Sequence, residues 1–296
     1  MNPLGLPAIL TGFVLIQIVH SALLAVARWQ GRERPPVMGK LMRPPGEHLR
    51  VRLNALEDRA RWLLIATSTI PVVVLLAGAL AIAGRTPEEH GLVVPVFTGL
   101  GFILSAGAGG YFLFLTLNER RACSRALQGH RIVNDSLAAL VPAGFKIFHD
   151  VPTDLTGADG NLHHLVIANG GIFAIESSTP VNRPAILGRK PQEIVFDGEQ
   201  LVYPWGQDTL ALVPARKKAE WLGEWIYQLV GQRVPVSAVL TFPGWWVTCT
   251  ANRDLRVCNP DQLAALVLQA PTTGLTDHTR NLLIRSLEVR CRDVEF

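Results

Sequence analysis

What this 296-residue chain lacks narrows its chemistry first. It contains no G-x-x-x-x-G-K-[ST] and no G-x-S-x-G, so nucleotide hydrolysis and serine hydrolysis have no motif to stand on. Its four cysteines, Cys123, Cys249, Cys258 and Cys291, form no C-x-x-C. With no histidine pattern beside them they do not read as a zinc site, and in a reducing cytoplasm they stay thiols. Cys249 and Cys258 flank a turn at Asn252-Arg253-Asp254 and are spaced to face each other across two strands. No internal repeat or low-complexity tract is visible. The C-terminal part also lacks a charge surplus. Residues 118–296 hold 18 basic and 18 acidic side chains, so the formal +4 of the chain belongs to residues 1–117. A nucleic-acid-binding domain carries a basic footprint, and this one shows only the small cluster Arg216-Lys217-Lys218, which reads as a solvated helix face.

What is present begins with three long apolar runs, at about 6–27, 62–83 and 92–117. Each exceeds the roughly 18–20 residues that span a bilayer, which predicts three transmembrane helices. None holds an acid, which argues against a pump or transporter. Gln17 and His20, one helical turn apart, are placed to hydrogen-bond between helices. Ala25-Val26-Ala27 mimics a signal-peptide cleavage site, but no Lys or Arg precedes the run and the run is too long for a signal core. Pro71 is expected to kink the second span. Gly99, Gly101, Ser105, Gly107, Gly109 and Gly110 thread the third, where small residues serve packing among the spans or a homodimer through 92–117.

The basic residues set an orientation. The segment 28–61 carries nine of them, Arg28, Arg32, Arg34, Lys40, Arg43, Arg50, Arg52, Arg59 and Arg61, while the loop after the second run carries Arg85 alone. Basic residues accumulate on the cytoplasmic side. The expected topology is therefore a multi-pass protein of the inner, cytoplasmic membrane, with the N-terminus outside and 118–296 in the cytoplasm. Within that basic loop, 46–61 has Leu49, Leu53 and Leu56 at helical spacing and an Arg-rich polar face, as expected of a helix lying on anionic membrane lipid. Pro35-Pro36 and Pro44-Pro45 break the chain before it.

The most informative stretch of the C-terminal part is 161–179, NLHHLVIANGGIFAIESST. It reads as strand, tight turn at Asn169-Gly170-Gly171, and return strand ending in Glu176. His163 and His164 open the first strand and point to opposite faces. This hairpin resembles that of the NERD (nuclease-related) domain, a branch of the restriction-endonuclease-like superfamily. The resemblance extends over about 123–260: ALQGHRIVNDSLAAL (126–140) as a first helix, GFKIFHDV (144–151) as a strand and EIVFDGEQL (193–201) as a hairpin. Residues 215–226 follow as a second helix, and AVLTFPGWWV (238–247) as a late strand with the Pro-Gly-Trp of a membrane-bound bacterial subgroup. It implies an α/β fold: a mixed sheet holding the 163–176 hairpin, with flanking helices, following the membrane part. Between Asp261 and Gln269, and from Thr276 to Leu287, the chain turns helical again, with Pro271 and Gly274 between.

The resemblance also implies a site. In the family two carboxylates hold a divalent cation, and the cation and a lysine activate water and stabilise charge on a phosphate. Here the helix glutamate falls on His130, the metal aspartate on His163 and the lysine on Ser178; Glu176 survives, and a family glutamine falls on Pro214. One carboxylate holds Mg²⁺ poorly. The expected protein is a degenerate, membrane-bound NERD pseudoenzyme that needs no cofactor and acts by binding or scaffolding. The alternative is a metal-dependent nuclease cutting DNA through an altered set, with Glu176 and His163 as ligands for a divalent metal (Mg²⁺, Mn²⁺ or Zn²⁺, the last two accepting imidazole) and His130 joining them. Each residue also has a plainer role: Glu176 paired with a cation at a strand end, His163 as a hydrogen-bonding histidine, Trp245 and Trp246 as packing or membrane-interface residues.

Overall fold

The computed structural model describes residues 40–83, 86, 91–155, 160–168, 171–250, 254–269 and 275–294, with positions 12, 15 and 19. The chain divides into two compact units, Met1–Pro36 with Arg52–Ala122, and Val37–Val51 with Cys123–Phe296.

The first unit is built on two helices that each run on into the second, α1 (Glu47–Ile82) and α2 (Val93–Ala138). Both are long and apolar enough to cross a membrane. Large apolar side chains along them, such as Leu64, Ile70, Ile103 and Leu104, are exposed, unlike those of a helix in a soluble core. The expected first span, 6–27, lies outside the described residues except for positions 12 and 15 and 19, which are helical. Three small-residue positions serve contact between the helices: a side chain on Gly78 would strike Thr98, one on Gly109 would strike Thr67, and one on Gly101 would meet Val74. At the charged ends Arg52 pairs with Glu119 and Arg120 with Glu57, each at 2.7 Å.

The expected separate surface helix at 46–61 is instead the first part of α1, and the expected helix at 126–140 is the last part of α2. The reason is local. No glycine or proline lies between Glu47 and Ile70, or from Tyr111 to Leu127, so a helix once nucleated propagates through each junction.

The second unit is an α/β fold. Its central sheet has the order β10-β8-β4-β3-β2, from β2 (Lys146–Val151), β3 (Leu162–Ile167), β4 (Ile172–Ser177), β8 (Val236–Thr241) and β10 (Leu255–Cys258). β2, β3 and β4 are antiparallel neighbours, while β8 and β10 run parallel to β4, so the sheet is mixed and the 162–177 hairpin lies inside it. Strands buried on both faces read as apolar runs rather than alternation, and β3 and β4 do so. A second sheet, β7-β6-β5-β9, gathers β5 (Glu193–Phe196), β6 (Leu201–Tyr203), β7 (Gly206–Asp208) and β9 (Trp246–Cys249). The expected single strand at 238–247 is therefore two, split between the sheets by a turn at Phe242–Trp245 in which Gly244 has φ +80°. Cys249 on β9 and Cys258, on β10 of the central sheet, form no disulfide.

Helix α3 (Leu212–Val230) packs Leu212, Ala215, Leu222 and Ile226 into one core with Phe148, Leu165, Ile172, Phe196 and Leu240. Val133, Leu137 and Leu140 pack on the other face of the sheet with Phe173, Ile175 and Val239. α4 (Pro260–Leu268) starts in a capping box between Asn259 and Gln262, and α5 (Asp277–Arg290) starts on Thr276. A short strand pair, β1 (Leu41–Met42) with β11 (Arg292–Val294), ties the segment before α1 to the C-terminal end. Asn169, Gly170, Asn252, Arg253, Pro271 and Gly274, named above as turn or break residues, lie outside the described residues.

Candidate functional site

Glu176 is the penultimate residue of β4, beside the parallel strand β8 and opposite Leu240 in the ladder. Its Oε1 accepts the backbone N–H of His163 on β3 at 3.1 Å. His130 reaches the same place from α2, with ring centroids 4.3 Å apart for His130 and His163. Gly129 makes that approach possible: a Cβ there would overlap Thr179, just past the end of β4. His130, His163, Glu176, Ser177, Ser178 and Thr179 all line one cavity of about 280 Å³, closed on another side by Ala211 and Pro214 at the start of α3. The structure thus brings His130, His163, Glu176 and Ser178 to one point.

The protonation of His163 follows from its partners. Its Nδ1 accepts the backbone N–H of Ser177 at 3.0 Å. A lone pair used this way leaves the proton on Nε2. Burial holds the ring well below its ordinary titration range, helped by the charges of His130 and Lys218 nearby. The 3.4 Å approach of His163 Nδ1 to Glu176 Oε2 is therefore a contact and not an ion pair.

The cation on Glu176 comes from elsewhere. Lys218 Nζ donates to Glu176 Oε2 at 2.7 Å, with both side chains buried. Lys218 stands on α3, on the stripe of Ala215, Ala219, Leu222 and Ile226, while Lys217 faces out and Arg216 pairs with Asp254 at 2.7 Å. The reading of 216–218 as a solvated face is corrected for Lys218. Its helical spacing from Ala215 and Leu222 already placed it inward. Ser178, at the family lysine position, instead lies on the cavity wall.

Sequence reading also missed a second ring of residues. Asp150, on β2, is fully buried and has φ +51°, which lifts it out of the ladder opposite His163. Its carboxylate accepts the backbone N–H of His48 at 2.7 Å, hydrogen-bonds His48 Nδ1, and accepts Asn161 Nδ2 at 3.1 Å. Burial pushes this carboxyl up, but the His48 bonds and charge outweigh it and hold the group ionised. His48 stacks 5.8 Å from His163 and stands edge-on, 5.9 Å, to His130. On the far face of β3, His164 Nδ1 bonds His149 Nδ1 at 2.9 Å. Burial lowers His130 and His149 each to about 4 and His164 further. Five of the eight histidines in the chain thus gather around one strand pair, with His130, His163 and His164 buried and His48 and His149 half-buried. A signal existed in the sequence for part of this: FHD at 148–150 pairs with HHL at 163–165 once the two strands are antiparallel.

Residues 125–243 match the family model of the nuclease-related domain. The chain carries a NERD domain. No curated protein and no solved structure matches the chain. The matched range takes in His130, His163, Glu176, Ser178 and Lys218, and leaves out His48.

The donor set of this NERD domain does not suit Mg²⁺. That ion requires several hard oxygens in octahedral array. Here one carboxylate faces the cavity, one of its oxygens is taken by an ammonium, and the imidazole at 163 has its Nδ1 lone pair taken by the Ser177 N–H. Among the described residues, no three His, Cys, Asp or Glu side chains are arranged to hold a metal ion.

Proposed function

We propose that this chain is a multi-pass membrane protein whose NERD domain lies on the cytoplasmic side and acts by binding or scaffolding, not by phosphodiester hydrolysis. The single observation that carries the second half is the buried Lys218–Glu176 contact at 2.7 Å. An ammonium there supplies the neutralising charge that a cation would otherwise bring to this carboxylate, so the centre is electrostatically complete without metal. The tautomer of His163, whose Nδ1 lone pair is already spent on the Ser177 N–H, supports the same reading. The membrane half rests on the two apolar helices and on the nine basic residues of 28–61 against Arg85 alone.

A second reading, metal-dependent cleavage of DNA through His130, His163 and Glu176, draws on one observation: these residues line one cavity. It requires Glu176 to leave Lys218 and the His163 ring to turn. One experiment separates the two. Full-length protein in detergent is incubated with DNA in Mg²⁺, Mn²⁺ or Zn²⁺, beside Glu176→Ala. The binding reading expects no cutting that depends on Glu176 in any metal. Cutting that disappears in Glu176→Ala, and in His163→Ala, overturns it in favour of the altered nuclease. For the membrane half, reporter fusions after residue 120 should act only as cytoplasmic reporters.

A further inference from the structure

His48 does not belong to the NERD domain by sequence, yet it is built into the site. It arrives on the segment Leu41–Arg50, which crosses the domain as a strap. At one end β1 pairs with β11, and Arg43 grips Asp293 at 2.6 Å and the Asp150 carbonyl at 3.0 Å. In the middle Gly46, at φ +71°, passes so close over α2 that a Cβ would lie 2.8 Å from Leu127 Cδ1 and 3.5 Å from the His130 ring. At the other end the His48 ring lies over His163 and against His130, forming a wall of the cavity above Glu176.

The grip on this wall is concentrated in one residue pair. Asp150 takes both the backbone N–H and Nδ1 of His48. To do so it holds a backbone conformation that non-glycine residues seldom adopt. The closed arrangement is also polar where it is driest. Among the described residues His48 Nε2, His130 Nδ1 and Ser177 Oγ are buried on this cavity with no hydrogen-bond partner in the protein. Buried polar groups of this kind favour any state in which they find partners.

We propose that Leu41–Arg50 is a closing strap over the NERD site, latched by His48 on Asp150, and that its release opens His130, His163 and Glu176 to ligand. From the proposed function this takes only the location of the site. His48 lies in the first turn of α1, the helix that continues into the apolar stretch 62–82, so latch and candidate span are one element.

The test reads access directly and needs neither hydrolysis nor a known ligand. Full-length protein in detergent micelles is treated with diethyl pyrocarbonate, which modifies accessible neutral imidazoles, and labelling is followed by peptide mass spectrometry. Exposed His278 serves as the internal reference, and alkylation of buried Cys258 reports opening of the core. Asp150→Asn is the releasing variant, because Asn tolerates positive φ as Asp does. The expected result is a rise of about tenfold in labelling of His130 and His163 relative to His278, with Cys258 still protected. Adding Leu41→Cys with Val294→Cys, which face each other in the β1–β11 pair, should return labelling to the wild-type rate on oxidation and not on reduction. Wild-type labelling rates in Asp150→Asn would overturn the latch. So would a rise shared by Cys258, or one that the oxidised cross-link leaves unchanged, since Asp150 would then be holding the domain together and not the strap. Nuclease activity in the assay above would leave this result untouched, so the two readings fail separately.

Discussion

Lys218 Nζ lies 2.7 Å from Glu176 Oε2, with the two side chains 3% and 5% exposed. A buried pair of this kind is costly to break from one side, because the remaining charge is left desolvated. Lys218→Met and Glu176→Gln should each lower unfolding free energy by about 3–5 kcal/mol. The double variant should recover part of the combined loss, because no charge is then stranded. Chemical denaturation of the purified protein checks this. Losses that simply add would show that the two residues stabilise the domain independently, and the pair would lose its place in the functional argument.

Gly129 is the point where α2 comes nearest to the end of β4. Alanine is the better helix former, so on propensity alone Gly129→Ala should stabilise by about 1 kcal/mol. Here its methyl group would overlap Thr179, with Ser177 Oγ and Pro243 3.5 Å away. Overpacking of this kind costs about 1–3 kcal/mol, so the expected net effect is destabilising by up to about 2 kcal/mol. Gly129→Ala combined with Thr179→Ser, which removes the clashing methyl group, should regain most of the loss. A stabilised single variant would show that α2 does not approach the site this closely.

The site's composition predicts which substitutions restore hydrolysis. His130→Glu and His163→Asp return two carboxylates next to Glu176, and Ser178→Lys returns a cation at the family position. These three positions line the same cavity, so the restored groups would face one point. Mg²⁺-dependent cleavage in the triple variant, absent from each single one and lost again with Glu176→Ala, is the expected outcome. If the triple variant folds and remains inactive, Lys218 is the next residue to remove, because it competes with metal for Glu176.

Much of this was legible in the sequence because the determinants were local. The β3–β4 hairpin declared itself through apolar runs around Asn169-Gly170-Gly171, with Glu176 closing its return strand, and the resemblance to the nuclease-related family put His163 and His130 beside it. The residues that were missed owe their roles to distant contacts. Lys218 and Glu176 are 42 positions apart, and His48 and Asp150 are 102 apart. Lys218 sat on the inward stripe of its helix, but a charge among charges hid it. Nothing in the pattern of 41–50 indicates that it crosses the domain, since β1 has two residues and its partner strand lies at the other end of the chain. The turn at Phe242–Trp245 illustrates another limit. AVLTFPGWWV is apolar on both sides of its Pro-Gly, so composition alone could not assign its halves to different sheets.

The buried histidines give the domain a defined acid sensitivity. An unfolded histidine titrates near 6.5. In the folded domain burial lowers His130 and His149 each to about 4, with His163 and His164 lowered further. Between pH 6.5 and 4 the unfolded chain therefore binds protons that the folded domain does not, and stability must fall as pH falls. His130 alone accounts for about 3 kcal/mol across that window. The Asp150 carboxyl, held below its usual range, adds a loss of the same sign at lower pH. The thermal midpoint should therefore be flat above pH 7 and drop steeply from pH 6 to 4. His130→Leu should reduce the steepness by one proton, about 1.4 kcal/mol per pH unit, whatever its effect at pH 7. A midpoint unchanged between pH 7 and 5 would mean that these imidazoles are solvated in the folded protein, contrary to the packing around β3.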